Sequence, residues 1–239
     1  MNIEAVKNEK QKIRERVWNI LDHEDATSTG SHGRIPHFIG SGAAAVLLSE
    51  HPAWQESHVV KAVPDRAQMP VRELALKAGK MLYMAAPKLA ASKPFYFINP
   101  ETLAVSPEEA AERHVAEEYA TPVDVHDMPA VDLVVCGSVA VNSEGARLGK
   151  GAGYADIEVA LLQEAGLIGP DVLIATTVHK LQVVDAEIPE SSHDFRVDLI
   201  VTPERIIECP PHERPRGILW ESLKAEMIAE IPVLAKRRM

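Results

Sequence analysis

The chain has 239 residues, 46% of them hydrophobic and 25% charged, enough to bury a core without disulfide or metal staples. Its 35 acidic residues against 25 basic ones leave a formal charge of −10, which argues against a DNA- or membrane-surface binder but not against an anion held in a local basic pocket. Cys136 and Cys209 lie far apart with no C-x-x-C spacing, no window approaches the roughly 18 apolar residues of a membrane span, and the N-terminus is charged rather than signal-like. The expectation is a reduced, cytoplasmic chain.

From Glu4 to His23, Val6, Ile13, Val17, Ile20 and Leu21 recur at near-helical spacing among charged residues, which predicts an amphipathic helix. Residues 25–42, rich in Ser, Thr, His and Gly, carry no period and read as a loop or an ordered surface excursion. A short helix over Ala43 to Leu48 ends before Pro52. The pattern then alternates. Val59 to Val63 suits a strand, and Pro70 to Lys80 a helix with its proline in the first turn. Met81 to Ala86 suits a strand buried on both faces. Ser106-Pro107-Glu108-Glu109 is a capping-box signature opening a helix through Glu118. Val131 to Cys136, Val172 to Val178 and Val197 to Val201 are further apolar runs, with a helix over Ile157 to Ala165 between the first two. Ile218 to Ile231 reads as one more helix, followed by a basic, solvated Lys236-Arg237-Arg238 end. Alternating strands and helices predict an α/β chain, a three-layer sandwich around a largely parallel sheet.

The segment richest in chemistry is Arg147-Leu148-Gly149-Lys150-Gly151-Ala152-Gly153-Tyr154, between a buried strand and a helix. Three glycines at alternate positions leave backbone N–H groups open to phosphate oxygens. The helix start adds the positive end of its dipole, and Arg147 and Lys150 add full charges. Asp156, just past the glycines, suits Mg²⁺ bridging such phosphates, because magnesium takes one or two carboxylates and completes its shell from phosphate and water. A glycine-rich turn that merely reverses the chain is the competing reading. The glycine spacing fits neither a Walker A loop nor a dinucleotide fingerprint.

The run RLGKGAGYAD, Arg147 to Asp156, resembles the RLG(R/K)GxGYYD motif of the 5-formyltetrahydrofolate cyclo-ligases, also called methenyltetrahydrofolate synthetases. Lys10-Gln11-Lys12-Ile13-Arg14 is similar to that family's N-terminal KxxLR motif, Ala86-Pro87-Lys88 to its Pro-Arg/Lys step, and Asp194 to Asp198 to its D-x-x-VD segment. The resemblance spans Lys10 to Pro203. It implies an α/β sandwich of the NagB/RpiA/CoA transferase type, as one domain over 1–239 with an inserted loop at about 25–57 and a helical extension at about 204–239. It further implies ATP and Mg²⁺ as cofactors and ATP-dependent closure of 5-formyltetrahydrofolate to 5,10-methenyltetrahydrofolate through phosphorylation of the formyl oxygen. Under this reading Lys150 and Arg147 act on the transferring phosphoryl group. Lys10, Arg14, Arg147, Leu148, Gly149, Lys150, Gly151, Ala152, Gly153 and Tyr154 bind the nucleotide, and Asp156 and Asp194 hold the metal. The partner is a folate-like or other formylated small molecule, with neither nucleic acid nor membrane, for a monomer or small homo-oligomer.

Two positions depart from the motifs. Ala155 stands where the family has a second Tyr, and the stretch Val63 to Pro70 lacks the family's Glu, with Ala67 or Gln68 in its place and Asp65 as its one acid. Gly33 to Phe38 (GRIPHF), GAGYAD and Pro215 to Trp220 (PRGILW) resemble a divergent branch that includes the methenyltetrahydrofolate synthetase domain-containing proteins. Two alternatives follow: the same ATP chemistry on a thiamine-related or other heterocycle, or a non-catalytic nucleotide- or ligand-binding module. Asp198 reads as a structural strand-start residue that faces the same way as Asp194, Cys136 as a small core residue, and Trp18, Trp54 and Trp220 as packing residues. His179, just past an apolar strand, is a candidate for substrate contact.

Overall fold

The computed structural model describes residues 3–238. Eight strands form one sheet: β1 (Val59–Ala62), β2 (Met81–Ala85), β3 (Phe95–Ile98), β4 (Thr121–Val123), β5 (Leu133–Cys136), β8 (Leu173–Thr177), β9 (Leu199–Val201) and β10 (Ile206–Glu208). Between β5 and β8 the two short strands β6 (Ala140–Val141) and β7 (Arg147–Leu148) make a separate antiparallel hairpin. The sheet order is β10-β9-β8-β5-β1-β2-β3-β4, with the inner five strands parallel and the others joined antiparallel. Strands β1, β5 and β9 are buried along their whole length, as expected for parallel strands covered on both faces.

Each face buries its own apolar set. On one side Val60, Ala62, Leu82, Leu133 and Val135 meet helices α2 (Ser41–Ser49) and α4 (Met69–Lys77), through Ala44, Ala45, Leu48, Val71 and Ala75. On the other, Val59, Tyr83, Val134, Cys136 and Ile174 meet α7 (Tyr154–Glu164) through Ile157, Leu161 and Leu162. At about 1.5–3 kcal/mol for each fully buried large aliphatic side chain, those three α7 residues alone give several kcal/mol for keeping the helix on the sheet. The first helix, α1 (Ile3–His23), packs Ile13, Val17, Trp18 and Leu21 against Ala140 and Leu148 of the hairpin. The glycine loop is thereby wedged between α1 and the start of α7.

The largely parallel α/β architecture follows the alternating pattern. Details differ where local chemistry is silent. The helix expected through Glu118 breaks at Glu112 into α5 (Pro107–Ala111) and α6 (Arg113–Tyr119), because Glu112 is extended at φ −70°, ψ 129°. The capping box on Ser106 and Glu109 forms as expected. The short helix expected over Ala43 to Leu48 is α2, and beyond it stands a further helix, α3 (Pro52–Gln55), started by a proline in its first turn. Within the helix expected over 218–231 stand a tight turn at 220–222 and the shorter α8 (Ala225–Glu230), which ends before Pro232 as expected; a further helix, α9 (Pro232–Arg237), follows with that proline in its first turn. Of the basic end, Lys236 and Arg238 are exposed as expected, while Arg237 pairs with Glu164 of α7 at 2.5 Å. Residues 189–198 form no strand, and Asp194 and Asp198 part company, one turning to Lys10 and the other to Arg214.

Candidate functional site

Arg147 leaves β7 and turns inward, its side chain 4% exposed, with its guanidinium carbon 4.5 Å from the Phe195 ring centre and Nη1 3.7 Å from Asp156 Oδ1. Its Nε is buried without a hydrogen-bond partner among the described residues. Such an atom normally has a partner, and a bound anion would supply one. Gly149 follows because a Cβ there would lie 2.7 Å from Arg147 Nη2. Gly153, at φ +75°, caps α7 in the left-handed region that a side chain resists, and so turns the chain into the helix. Among the described residues the amides from Gly149 to Gly153 find no acceptor within the chain, and α7 presents its first-turn amides beside them. Lys150 and Gly151 are exposed.

Two cations reach this loop from α1. Arg14 Nε donates to Gly149 O at 2.7 Å, and its guanidinium carbon lies 3.6 Å from where a Gly151 Cβ would be. Lys10 pairs with Asp194. Both cations are buried, so they are not the solvated basic edge that an amphipathic helix usually carries. Burial pulls the Arg14 guanidinium below its ordinary value; Asp194 and Asp156 oppose that pull, and Arg147 adds to it. Burial pushes the Asp156 carboxyl up, against the pull of Arg147 and with the push of Asp194. Lys10, Arg14, Arg147, Asp156 and Asp194 are thus one electrostatic cluster around the glycines.

Other expected residues fall differently. Leu148 points its side chain into the core with α1, so only its backbone faces the loop. Ala152 is half-buried, and Tyr154 is half-buried against the core. Lys150 crosses to Asp65, just past β1, at 3.5 Å. Asp198 is structural, accepting from Ile174 N at 2.7 Å and from Arg214 at 2.5 Å. Cys136 is a buried core thiol, and burial raises its pKa. Trp18 and Trp54 are buried, as packing residues should be. His179 turns its ring back onto its own chain, accepting from Leu181 N at 3.3 Å, with Phe38 beside it.

Two features escape sequence reasoning. Lys61, in the middle of β1, is buried against Glu158 of α7, directly behind the loop. Arg72 of α4 is also fully buried, donating from Nη1 to Val63 O at 2.6 Å and Asp65 O at 3.0 Å, and from Nε to Ala111 O at 2.9 Å. A lysine inside an apolar strand pattern was the available signal for the first; nothing in the local sequence marks the second. A shallow hollow of 510 Å³ lies beside Asp194, Arg196 and His212, while one of 690 Å³ lies on the outer face of α1, lined by Lys12, Arg16 and Asn19 and by none of the cluster residues.

A sequence model of the 5-formyltetrahydrofolate cyclo-ligase family matches residues 6–203. The chain belongs to this family. It is 37% identical over 237 residues to the mouse methenyltetrahydrofolate synthase domain-containing protein, covering 96% of this chain and 63% of that one. The zebrafish protein of the same name is 38% identical, with 96% and 61% covered, and the human one 35% identical, with 100% and 63% covered. The chain therefore spans about three fifths of the length of these relatives. Among solved structures, the NMR structure of Aquifex aeolicus 5,10-methenyltetrahydrofolate synthetase superposes with a TM-score of 0.54 at 22% identity, covering 91% of this chain and 99% of that chain. That similarity shows a shared fold. No helix among the described residues is long and apolar enough to cross a membrane.

Proposed function

We propose that the chain binds Mg-ATP at Arg147 to Tyr154 and uses it to activate the formyl oxygen of 5-formyltetrahydrofolate or a related formylated heterocycle. One observation carries this reading: three buried cations, one with an unpaired guanidinium nitrogen, converge on a loop whose amides have no acceptor within the chain. Free amides, a helix start and fixed cations are what a transferring phosphoryl group needs, since its chemistry rests on positioning and charge stabilisation rather than on a protein nucleophile. ATP, when bound, supplies the phosphoryl group that makes the formyl oxygen a leaving group.

The chain's own residues divide the work. Arg147, held over the Phe195 ring, and Arg14, held on Gly149 O, place fixed positive charge at the loop. Lys150, half-exposed and paired among the described residues only with Asp65, can swing onto phosphate. Lys10 keeps Asp194 in place beside them. Among the described residues no group of three or more His, Cys, Asp or Glu side chains forms a metal cage. Asp156 and Asp194 therefore fit Mg²⁺ only as one or two carboxylates completing a shell drawn from phosphate and water, which is magnesium's usual arrangement with nucleotides.

A second reading keeps the nucleotide chemistry and changes the acceptor. Ala67 and Gln68 are both buried at the place where the family has its Glu, and Gln68 is neutral, donating to Thr177 Oγ1 at 3.0 Å. The missing carboxylate is what supports an acceptor other than the folate, such as a thiamine-related or other heterocycle. Phosphate release in the presence of 5-formyltetrahydrofolate, run beside other formylated and pyrimidine-like compounds, separates the two, with the near-ultraviolet absorbance of methenyltetrahydrofolate as the specific signal. Nucleotide binding without turnover across that panel identifies a binding module instead. If titration calorimetry with millimolar Mg-ATP shows no binding, both enzymatic readings fall.

A further inference from the structure

The cations of the site differ in how firmly they are tied. Lys10, Arg14 and Arg147 are buried and held by Asp194, Gly149 O, and Asp156 with Phe195. Lys150 alone among these four is half-exposed, and the group it meets is Asp65, on the opposite side of the loop. Asp65 does not arrive there by chance of a flexible turn. Its carbonyl and that of Val63 share one guanidinium nitrogen of Arg72, whose side chain is fully buried, forms no ion pair within 4 Å among the described residues, and feels the Asp65 and Glu112 carboxylates only at longer range. A buried arginine spent wholly on three backbone carbonyls rigidifies the turn that links β1 to α4. The turn then presents the Asp65 carboxylate, three-quarters buried, to the lysine of the loop.

We propose that Asp65 is a positioning residue for the anion site: it is the counter-ion that holds Lys150 across the loop until an incoming polyphosphate takes the lysine from it, and Arg72 fixes the turn that makes the exchange reproducible. The proposal rests on the anion-binding reading above. The exchange is one ion pair for another, so no bond forms or breaks, and anion binding to wild type includes the loss of the Lys150–Asp65 contact. A partly exposed pair of this kind is worth a factor of about 1.5 to 5 in an equilibrium constant.

The test is a double-mutant cycle of Asp65→Asn and Lys150→Gln, read in two ways. Calorimetry with inorganic tripolyphosphate, and separately with Mg-ATP, should show Asp65→Asn binding about two- to five-fold tighter than wild type, with the gain abolished in the Lys150→Gln background and Asp65→Glu returning to the wild-type value. Urea unfolding of the ligand-free protein should show the two substitutions coupled by a factor of about 1.5 to 5 in the unfolding constant. If wild type binds both probes and Asp65→Asn binds no tighter, or gains equally without Lys150, the exchange is overturned while the anion site stands. If wild type binds neither probe, the anion site falls, and the exchange falls with it. Absence of coupling in the ligand-free cycle overturns the contact itself.

Discussion

The Lys61–Glu158 pair offers the sharpest test of how the site is held. Both side chains are almost fully removed from water, 1% and 8% exposed, between the middle of β1 and the second turn of α7, with Cys136 close by on the neighbouring strand. Removing one member leaves a charge buried without its partner, which costs about 3–5 kcal/mol; replacing both with apolar groups of similar volume is neutral or stabilising by about 1–4 kcal/mol. For a chain of this length 1 kcal/mol moves the melting midpoint by about 2–4 °C. Lys61→Met and Glu158→Leu should therefore each lower it by about 6–20 °C, and the double substitution should recover to wild type or above. Differential scanning fluorimetry gives the midpoints, and urea titration checks that the slope with denaturant is unchanged. The double variant also asks a functional question, because α7 carries Asp156 two residues before Glu158. Recovered stability with unchanged Mg-ATP affinity means that packing alone places the helix start. The reasoning is refuted if either single substitution shifts the midpoint by less than about 2 °C, or if the double variant is no more stable than the singles.

Lys150→Ala should weaken Mg-ATP binding by up to about ten-fold with little change in melting midpoint, measured by calorimetry and fluorimetry on the same preparation, because the lysine is half-exposed and contributes mainly to the ligand. Burial raises the Asp156 pKa, so the folded state holds that proton more tightly than the unfolded chain does. The carboxylate then costs stability above its unfolded pKa, and the cost fades as pH falls through the raised folded value. Asp156→Asn should accordingly melt higher than wild type at pH 8, with the difference shrinking toward acid pH, while losing magnesium dependence of nucleotide binding; fluorimetry across pH and calorimetry with and without magnesium test this. Arg72→Met should destabilise by about 2 kcal/mol or more, since three carbonyls lose their donor, and urea unfolding tests this. Burial, with Asp198 and Glu144 adding to it, pushes the Cys209 thiol up to about 12. Iodoacetamide at pH 8 should therefore alkylate it far more slowly than in urea-unfolded chain, as followed by mass spectrometry.

Much of this protein was legible in its residues taken in order. Apolar runs of β-branched residues alternating with helical spacing pointed to a parallel α/β sheet, because a strand covered on both faces is apolar at nearly every position and a helix covered on one face is not. The glycine loop and its flanking cations were also legible, since alternate glycines followed by a helix start are a local pattern with a local cause. So was the capping box at Ser106, whose hydrogen bonds span three residues. The break at Glu112, the short helix α9, the hairpin of β6 and β7, and the short outer strands β3, β4 and β10 were not, because strand partners lie elsewhere in the chain and short segments carry too few residues to show a period.

Tertiary structure alone decided which charges meet. Lys10 and Arg14 read as an ordinary basic edge of an amphipathic helix until α1 docks on the hairpin and turns them inward to Asp194 and Gly149. Lys61 finds Glu158 across 97 residues, and Lys150 reaches Asp65 only because β1 and β5 are neighbours in the sheet. Hydrophobic period is a property of successive residues, so sequence carries it directly; an ion pair is a property of two points brought within a few ångströms, and only the completed packing of sheet and helices determines that distance.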